Sequence, residues 1–117
     1  MTSTTLRPAL TVLSEDETVF RDAVAEFAAG EVKPRVQEME RAGRIDPALV
    51  EQYFATGLMG IEVPESYGGA DGSLMMVALA VEEVSKVDGA AAIMLDVQNT
   101  LVNYPINRYG NDALKAK

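Results

Sequence analysis

Between two stretches of helical periodicity, the segment IEVPESYGGADGS (Ile61–Ser73) places one proline, three glycines and a serine within ten residues. No regular element runs through such a segment, because proline removes a backbone donor and glycine loses the most freedom on being fixed. The chain is therefore divided here, and the segment is either a cradle for a ligand or a joint between helices. An anion cradle needs backbone N–H groups at a helix start, in a defined glycine spacing after a strand. The segment has no G-x-G-x-x-G and no G-x-x-x-x-G-K-[ST], and no strand pattern precedes it. No Lys or Arg occurs between Arg44 and Lys86 to complement a phosphate. The spacing predicts a tight interhelix turn that uses glycine at positive φ.

Both flanks read as helices. In LSEDETVFRDAVAEFAAGE, Ser14 and Glu17 form a capping-box pattern, and Glu15 and Asp16 put negative charge in the first turn. Phe20, Ala23, Val24, Phe27 and Ala28 recur at helical spacing, with Gly30 as the expected end. Pro34 breaks the pattern, and Val36 and Met39 begin a short second helix whose outer face carries Glu38, Glu40 and Arg41. Asp46 before Pro47 marks a third start, with Leu49, Val50, Tyr53 and Phe54 as its buried stripe and Gly57 as its close. After the glycine segment, an apolar helix starts near Ser73. Asp88 then caps another that reaches Tyr104, a span of about 25 Å at the helical rise. That helix is apolar on most sides and is expected to be central, apart from a polar stripe of Asp96, Asn99 and Asn103. Pro105 ends or kinks it, and Asn111 caps a last short helix that the final residue cuts after about two turns. A domain seldom ends this way, so Lys117 reads as a truncation point or a subunit boundary.

The apolar residues are mostly Ala, Leu, Met and Val, with three Phe, four Tyr and no Trp, which suits packed helices in a chain of 117 residues. The expected fold is all-α and up-and-down, with a loose arm over residues 1–12 and one helical domain over 13–117. A formal charge of −8 without a basic stripe argues against nucleic acid and against an anionic membrane surface. With no Cys and no His, the chain lacks thiol nucleophiles, the usual zinc ligands and imidazole acid–base chemistry. No metal site is expected, and neither a signal peptide nor a spanning helix is evident, which makes a cytoplasmic location the default.

The carboxylates Glu38, Glu40, Glu82 and Glu83 fall on predicted polar faces, with Glu82 placed to pair with Lys86 at i+4. Asp96, polar within an apolar helix, is expected to hydrogen-bond a neighbouring helix end. The piece DGSL (Asp71–Leu74) resembles the Asp-Ser-Leu site that carries phosphopantetheine in acyl carrier proteins, except for the intervening Gly72. From these residues alone, no catalytic constellation emerges.

Taken with its flanks, the glycine segment carries more. GLMGIEVPESYGG, the following ALAVEEVSKVD, and DVQNTLVNYPINRYGNDALKAK occur in unbroken order from about Leu13 to Lys117. Together they closely resemble the N-terminal domain of acyl-CoA dehydrogenases, and QNTLVN looks most like the short-chain and branched-chain members. The resemblance implies a parent enzyme with an N-terminal helical domain, a middle β-domain and a C-terminal helical bundle that forms tetramers. The implied reaction is α,β-dehydrogenation of an acyl-CoA, in which a Glu base takes the α-proton and FAD accepts hydride. That base and the flavin contacts belong to the later domains, so this chain is expected to hold no catalytic and no cofactor-binding residue and to be inactive alone. Its implied partners are the remaining domains or a partner chain, the acyl-CoA substrate and an electron-transferring flavoprotein. Carried over onto AAIMLDVQNTL, the acyl-pocket wall falls on Ile93, Met94, Val97, Gln98 and Leu101. Two other readings of the chain are a stand-alone helical interaction module or split subunit, and an acyl-carrier-like domain.

Overall fold

The computed structural model describes residue 9 and residues 11–117, so the expected arm over 1–12 lies largely outside the described residues. The described residues are helical with no strand among them, in agreement with the all-α expectation. Seven α-helices follow in order: α1 (Glu15–Phe27), α2 (Val36–Ala42), α3 (Pro47–Ala55), α4 (Leu74–Ser85), α5 (Gly89–Val97), α6 (Tyr104–Tyr109) and α7 (Asp112–Ala116). The extents of 63 × 37 × 18 Å make a slab. An α-helix with its side chains is about 10–12 Å across, so the slab is barely two helices deep.

Starts are set by local chemistry, as expected. The Ser14 hydroxyl accepts from the Glu17 N–H at 3.1 Å, and the Glu17 carboxylate accepts from the Ser14 N–H at 2.8 Å. Asp46, Ser73, Asp88 and Asn111 each accept a backbone N–H of the first turn of α3, α4, α5 and α7. Each such cap is worth about 1 kcal/mol. Gly43 and Gly57 end α2 and α3 at positive φ.

The α-helix is interrupted ahead of both prolines, as expected, but the backbone stays helical through each interruption. A π-helical turn over Ala28–Val32 and a 3₁₀ turn over Lys33–Arg35 join α1 to α2, so Gly30 lies inside a helical path that runs on to Ala42. A second π turn, Gln98–Asn103, joins α5 to α6, whose second residue is Pro105. In both places the residue before the proline closes the wide turn: Lys33 N–H donates to Ala28 O, and Tyr104 N–H donates to Asn99 O. A proline inside an α-helix clashes with the carbonyl four residues back and lacks the donor for it. A turn closed five residues back makes room for that carbonyl. At the first site Arg35 adds a bond from Nη1 to Glu31 O at 2.6 Å, and its Nε reaches the capping Asp46 at 3.2 Å.

The core gathers Val24, Ala28 and Val32 from the first helical path with Leu49, Tyr53, Ile61, Val77, Ala80, Val84, Ala91, Ala92 and Leu95. Helix α4 packs against both α1 and α5. Tyr53 sits at the centre, fully buried; its hydroxyl donates to Ala91 O at 3.1 Å and its ring lies 5.8 Å from that of Phe27. Two members of the expected stripes are outside: Ala23 is exposed, and Phe54 is 62% exposed. Glu83 also departs from expectation, being buried and paired with Lys86 at 2.7 Å, whereas Glu82 is exposed and takes no part.

Burial, and after it the Asp88 carboxylate, push the Tyr53 phenol up to about 12. An unfolded tyrosine titrates near 10, so the folded chain keeps a proton that the unfolded chain gives up. Stability from this group is fully present below pH 10 and is lost as pH rises through 12, by roughly 2 kcal/mol. Urea midpoints of this chain and of Tyr53→Phe should show it. The variant is less stable at pH 7 by about 1 kcal/mol, for the lost hydrogen bond, and the gap closes by pH 11.5.

Candidate functional site

Helix α5 is not buried all round. Ala91, Ala92 and Leu95 face the core, while Ile93 is 63% exposed, Val97 39% and Leu101 68%. Large apolar side chains spaced four apart thus form a column on the open side. Within an α-helix, residues four apart drift by about 40°. Leu101 lies in the π turn Gln98–Asn103, where each residue rotates less than in an α-helix, so the wider turn sets its angle to Val97. Of the other two expected wall residues, Met94 is half-buried against the core. Gln98 is half-buried and donates from Nε2 to Asn103 Oδ1 at 2.9 Å.

Behind the column lies the glycine segment. Its amides are used internally: Gly68 N–H donates to Glu65 O, Gly69 to Pro64 O, Ala70 to Gly60 O, Asp71 to Val63 O and Gly72 to Ile61 O, at 2.6–3.1 Å. The segment is a folded-back loop, more than a simple turn, and Gly68 and Asp71 supply its positive φ values of 83° and 54°. A Cβ on Gly69 would overlap the Val63 carbonyl, so the loop closes on itself only with glycine there. With these five N–H groups engaged, the loop is no anion cradle. Its residues do not fit the pyrophosphate of a dinucleotide such as FAD. The described residues contain no cluster of three or more metal-ligating side chains. Ser73 Oγ serves as the α4 cap, accepting from the Met76 N–H at 3.2 Å.

The expected partner of a neighbouring helix end is not Asp96, which is half-buried and accepts only from Thr100, one turn on, at 3.3 Å. Asn99 and Asn103 of the same stripe take that role. Asn99, 3% exposed, accepts from the Ile61 N–H at 3.0 Å and donates to Leu58 O at 2.8 Å and Leu95 O at 2.9 Å. Asn103 donates to Met59 O at 2.6 Å. The stripe was legible as polar. That Asn rather than Asp does the work follows from the need to donate to carbonyls as well as accept from an N–H.

Between the loop and α6–α7 lies a groove of about 450 Å³, lined by Phe54, Val63, Tyr67, Val102, Ile106 and Leu114 among others. Gln98 borders it, and Ile93, Met94, Val97 and Leu101 do not. The structure thus separates one expected wall residue from three that share the open column.

Such a slab, with exposed large apolar side chains on one helix and a self-bonded loop, defines an all-α domain. A family model described as the acyl-CoA dehydrogenase N-terminal domain matches residues 14–117. The chain belongs to the acyl-CoA dehydrogenase family, as this helical domain. It is 45% identical over 87% of its length to a probable short/branched chain specific acyl-CoA dehydrogenase of Dictyostelium discoideum, of which it covers 25%. It is 36% identical over 92% of its length to the mitochondrial short/branched chain specific enzyme of Bos taurus, again covering 25%. Among solved structures, butyryl-CoA dehydrogenase from Megasphaera elsdenii superposes with a TM-score of 0.81 at 30% identity, over 90% of this chain and 28% of that one. A chain in the structure described as electron transferring flavoprotein of Acidaminococcus fermentans superposes with a TM-score of 0.85 at 36% identity, over 90% and 28%. The chain therefore spans about a quarter of the length of the curated relatives it matches.

Proposed function

We propose that this chain is the N-terminal part of an FAD-dependent acyl-CoA dehydrogenase acting on a short or branched acyl-CoA, and that it walls the acyl pocket with Ile93, Val97 and Leu101. The observation that carries the reading is the open column itself. Three large apolar side chains stand in water on a helix whose opposite face is fully buried. Exposed apolar surface of this kind marks a face awaiting a ligand or a packed neighbour. The relatives named for short or branched chains supply the substrate class. In this reading flavin and the proton-abstracting base belong to the rest of the parent enzyme, and this chain is inactive alone. Oligomerisation, and electron transfer to a partner flavoprotein, are likewise assigned to the parent.

β-Branched Val97 and Ile93 shorten the pocket by standing where a longer acyl chain would run. In the assembled enzyme, Val97→Ala is expected to raise kcat/KM for an eight-carbon acyl-CoA, relative to a four-carbon one, by about ten-fold, the scale of one or two methylenes in an apolar site. An unchanged ratio would remove Val97 from the pocket wall.

A further inference from the structure

We infer that Asn99 is a positioning residue that sets acyl-chain preference by holding the π turn in which the open column continues, an inference that rests on the pocket-wall reading above. Asn99 lies inside the π turn, and Tyr104 N–H closes the wide loop of that turn on the Asn99 carbonyl. The Asn99 side chain faces away from the column and is buried, with its amide oxygen and both donors engaged. One of those bonds is local, to Leu95 O. The other two cross 38 and 41 residues of sequence to Ile61 and Leu58, the residue after the 3₁₀ turn Leu58–Gly60 and the first residue within it. Asn103, four residues on, repeats the contact at Met59 O and holds Gln98 with its own oxygen.

Asn99 and Asn103 are four apart and share one side of the helix, and both reach the short segment Leu58–Ile61. The wide turn that contains them rotates less per residue than an α-helix, so it sets the angle at which Leu101 stands relative to Val97 on the open side. The loop thus anchors the π turn, and the π turn sets where Leu101 stands on the wall. An apolar residue of similar size at position 99 would fill the volume yet leave the Ile61 N–H and Leu58 O without partners, and the wide turn without its anchor.

The test uses the assembled holoenzyme with Asn99→Asp, Asn103→Ala and Val97→Ala, each assayed for kcat and KM on eight-carbon and four-carbon acyl-CoAs. Aspartate at 99 keeps the shape and the bond from Ile61, but as a carboxylate it has no hydrogen to give Leu58 or Leu95. The expected result is a rise in the eight-carbon to four-carbon ratio of kcat/KM of about five-fold for Asn99→Asp and about two-fold for Asn103→Ala, carried mainly by KM. A merely structural role would lower the melting temperature and leave the ratio alone. That outcome, with Val97→Ala still shifting the ratio, overturns the positioning role and leaves the pocket wall standing. If Val97→Ala does not shift it either, the wall and the positioning role fall together. Should Asn99→Asp fail to assemble, Asn103→Ala, at a half-buried site, decides the question alone.

Discussion

Gly69→Ala is expected to destabilise this chain by about 3 kcal/mol or more, although it adds a single methyl group to a loop. The new Cβ would overlap the Val63 carbonyl, which itself accepts the Asp71 N–H at 3.0 Å, so it cannot yield without breaking the loop's own bonding. The neighbouring Gly68→Ala makes the comparison informative. Gly68 has a φ of +83°, but the space around its Cβ position is empty, so alanine there costs only the left-handed strain of about 1–2 kcal/mol. Urea midpoints of the two variants should rank Gly69→Ala as the worse. The reverse order would mean that backbone conformation, rather than close approach to Val63, is what the glycines provide.

Leu95→Ala is expected to cost about 3–4 kcal/mol, within the range for a leucine truncated in a packed core. Leu95 is fully buried on the inward side of α5, with Ala91, Ala92 and Asn99 along the same face. Ile93, two residues earlier, is 63% exposed, and Ile93→Ala should stay within about 0.5 kcal/mol of the parent chain. Chemical denaturation of the pair checks whether α5 has one packed and one open side. Equal losses would show that the column is already covered in this chain.

What was legible in the sequence is what short-range chemistry decides. The caps at Ser14, Asp46, Asp88 and Asn111 depend on a side chain and an N–H two or three residues away, and the structure places all four as read; at Ser73, read only as a helix start, it adds a fifth. Positive φ at Gly57 and Gly68 is likewise local. The prolines marked where the α-helix is interrupted but not that the backbone stays helical there, because the extra width of a π turn leaves little trace in residue type. Phe54 and Glu83 misled for another reason. Periodicity tells which residues share a face, but a slab 18 Å thick gives several helices two faces to water, and only the packing selects the covered one. Helix α5, read as central from its composition, is open on one side for the same cause. The pocket-wall residues came from likeness to a family, not from periodicity, and the structure adds that Ile93, Val97 and Leu101 form one column while Gln98 borders the groove. Asn99 lay in the polar stripe, but two of its three partners are 38 and 41 residues away in the chain, beyond any local pattern.

The prolines that follow the two π turns also act on the chain before it folds. A proline restricts its own φ and the conformations of the residue before it, so Lys33–Pro34 and Tyr104–Pro105 sample fewer states in the denatured ensemble. Where the native backbone accepts the ring without strain, that restriction favours the folded state by about 0.4–1 kcal/mol per site. Inside an ordinary helix the same ring would be a net loss of about 3 kcal/mol. By widening one turn ahead of each proline, this domain turns two helix breakers into a modest entropic advantage that no contact in the native structure reveals.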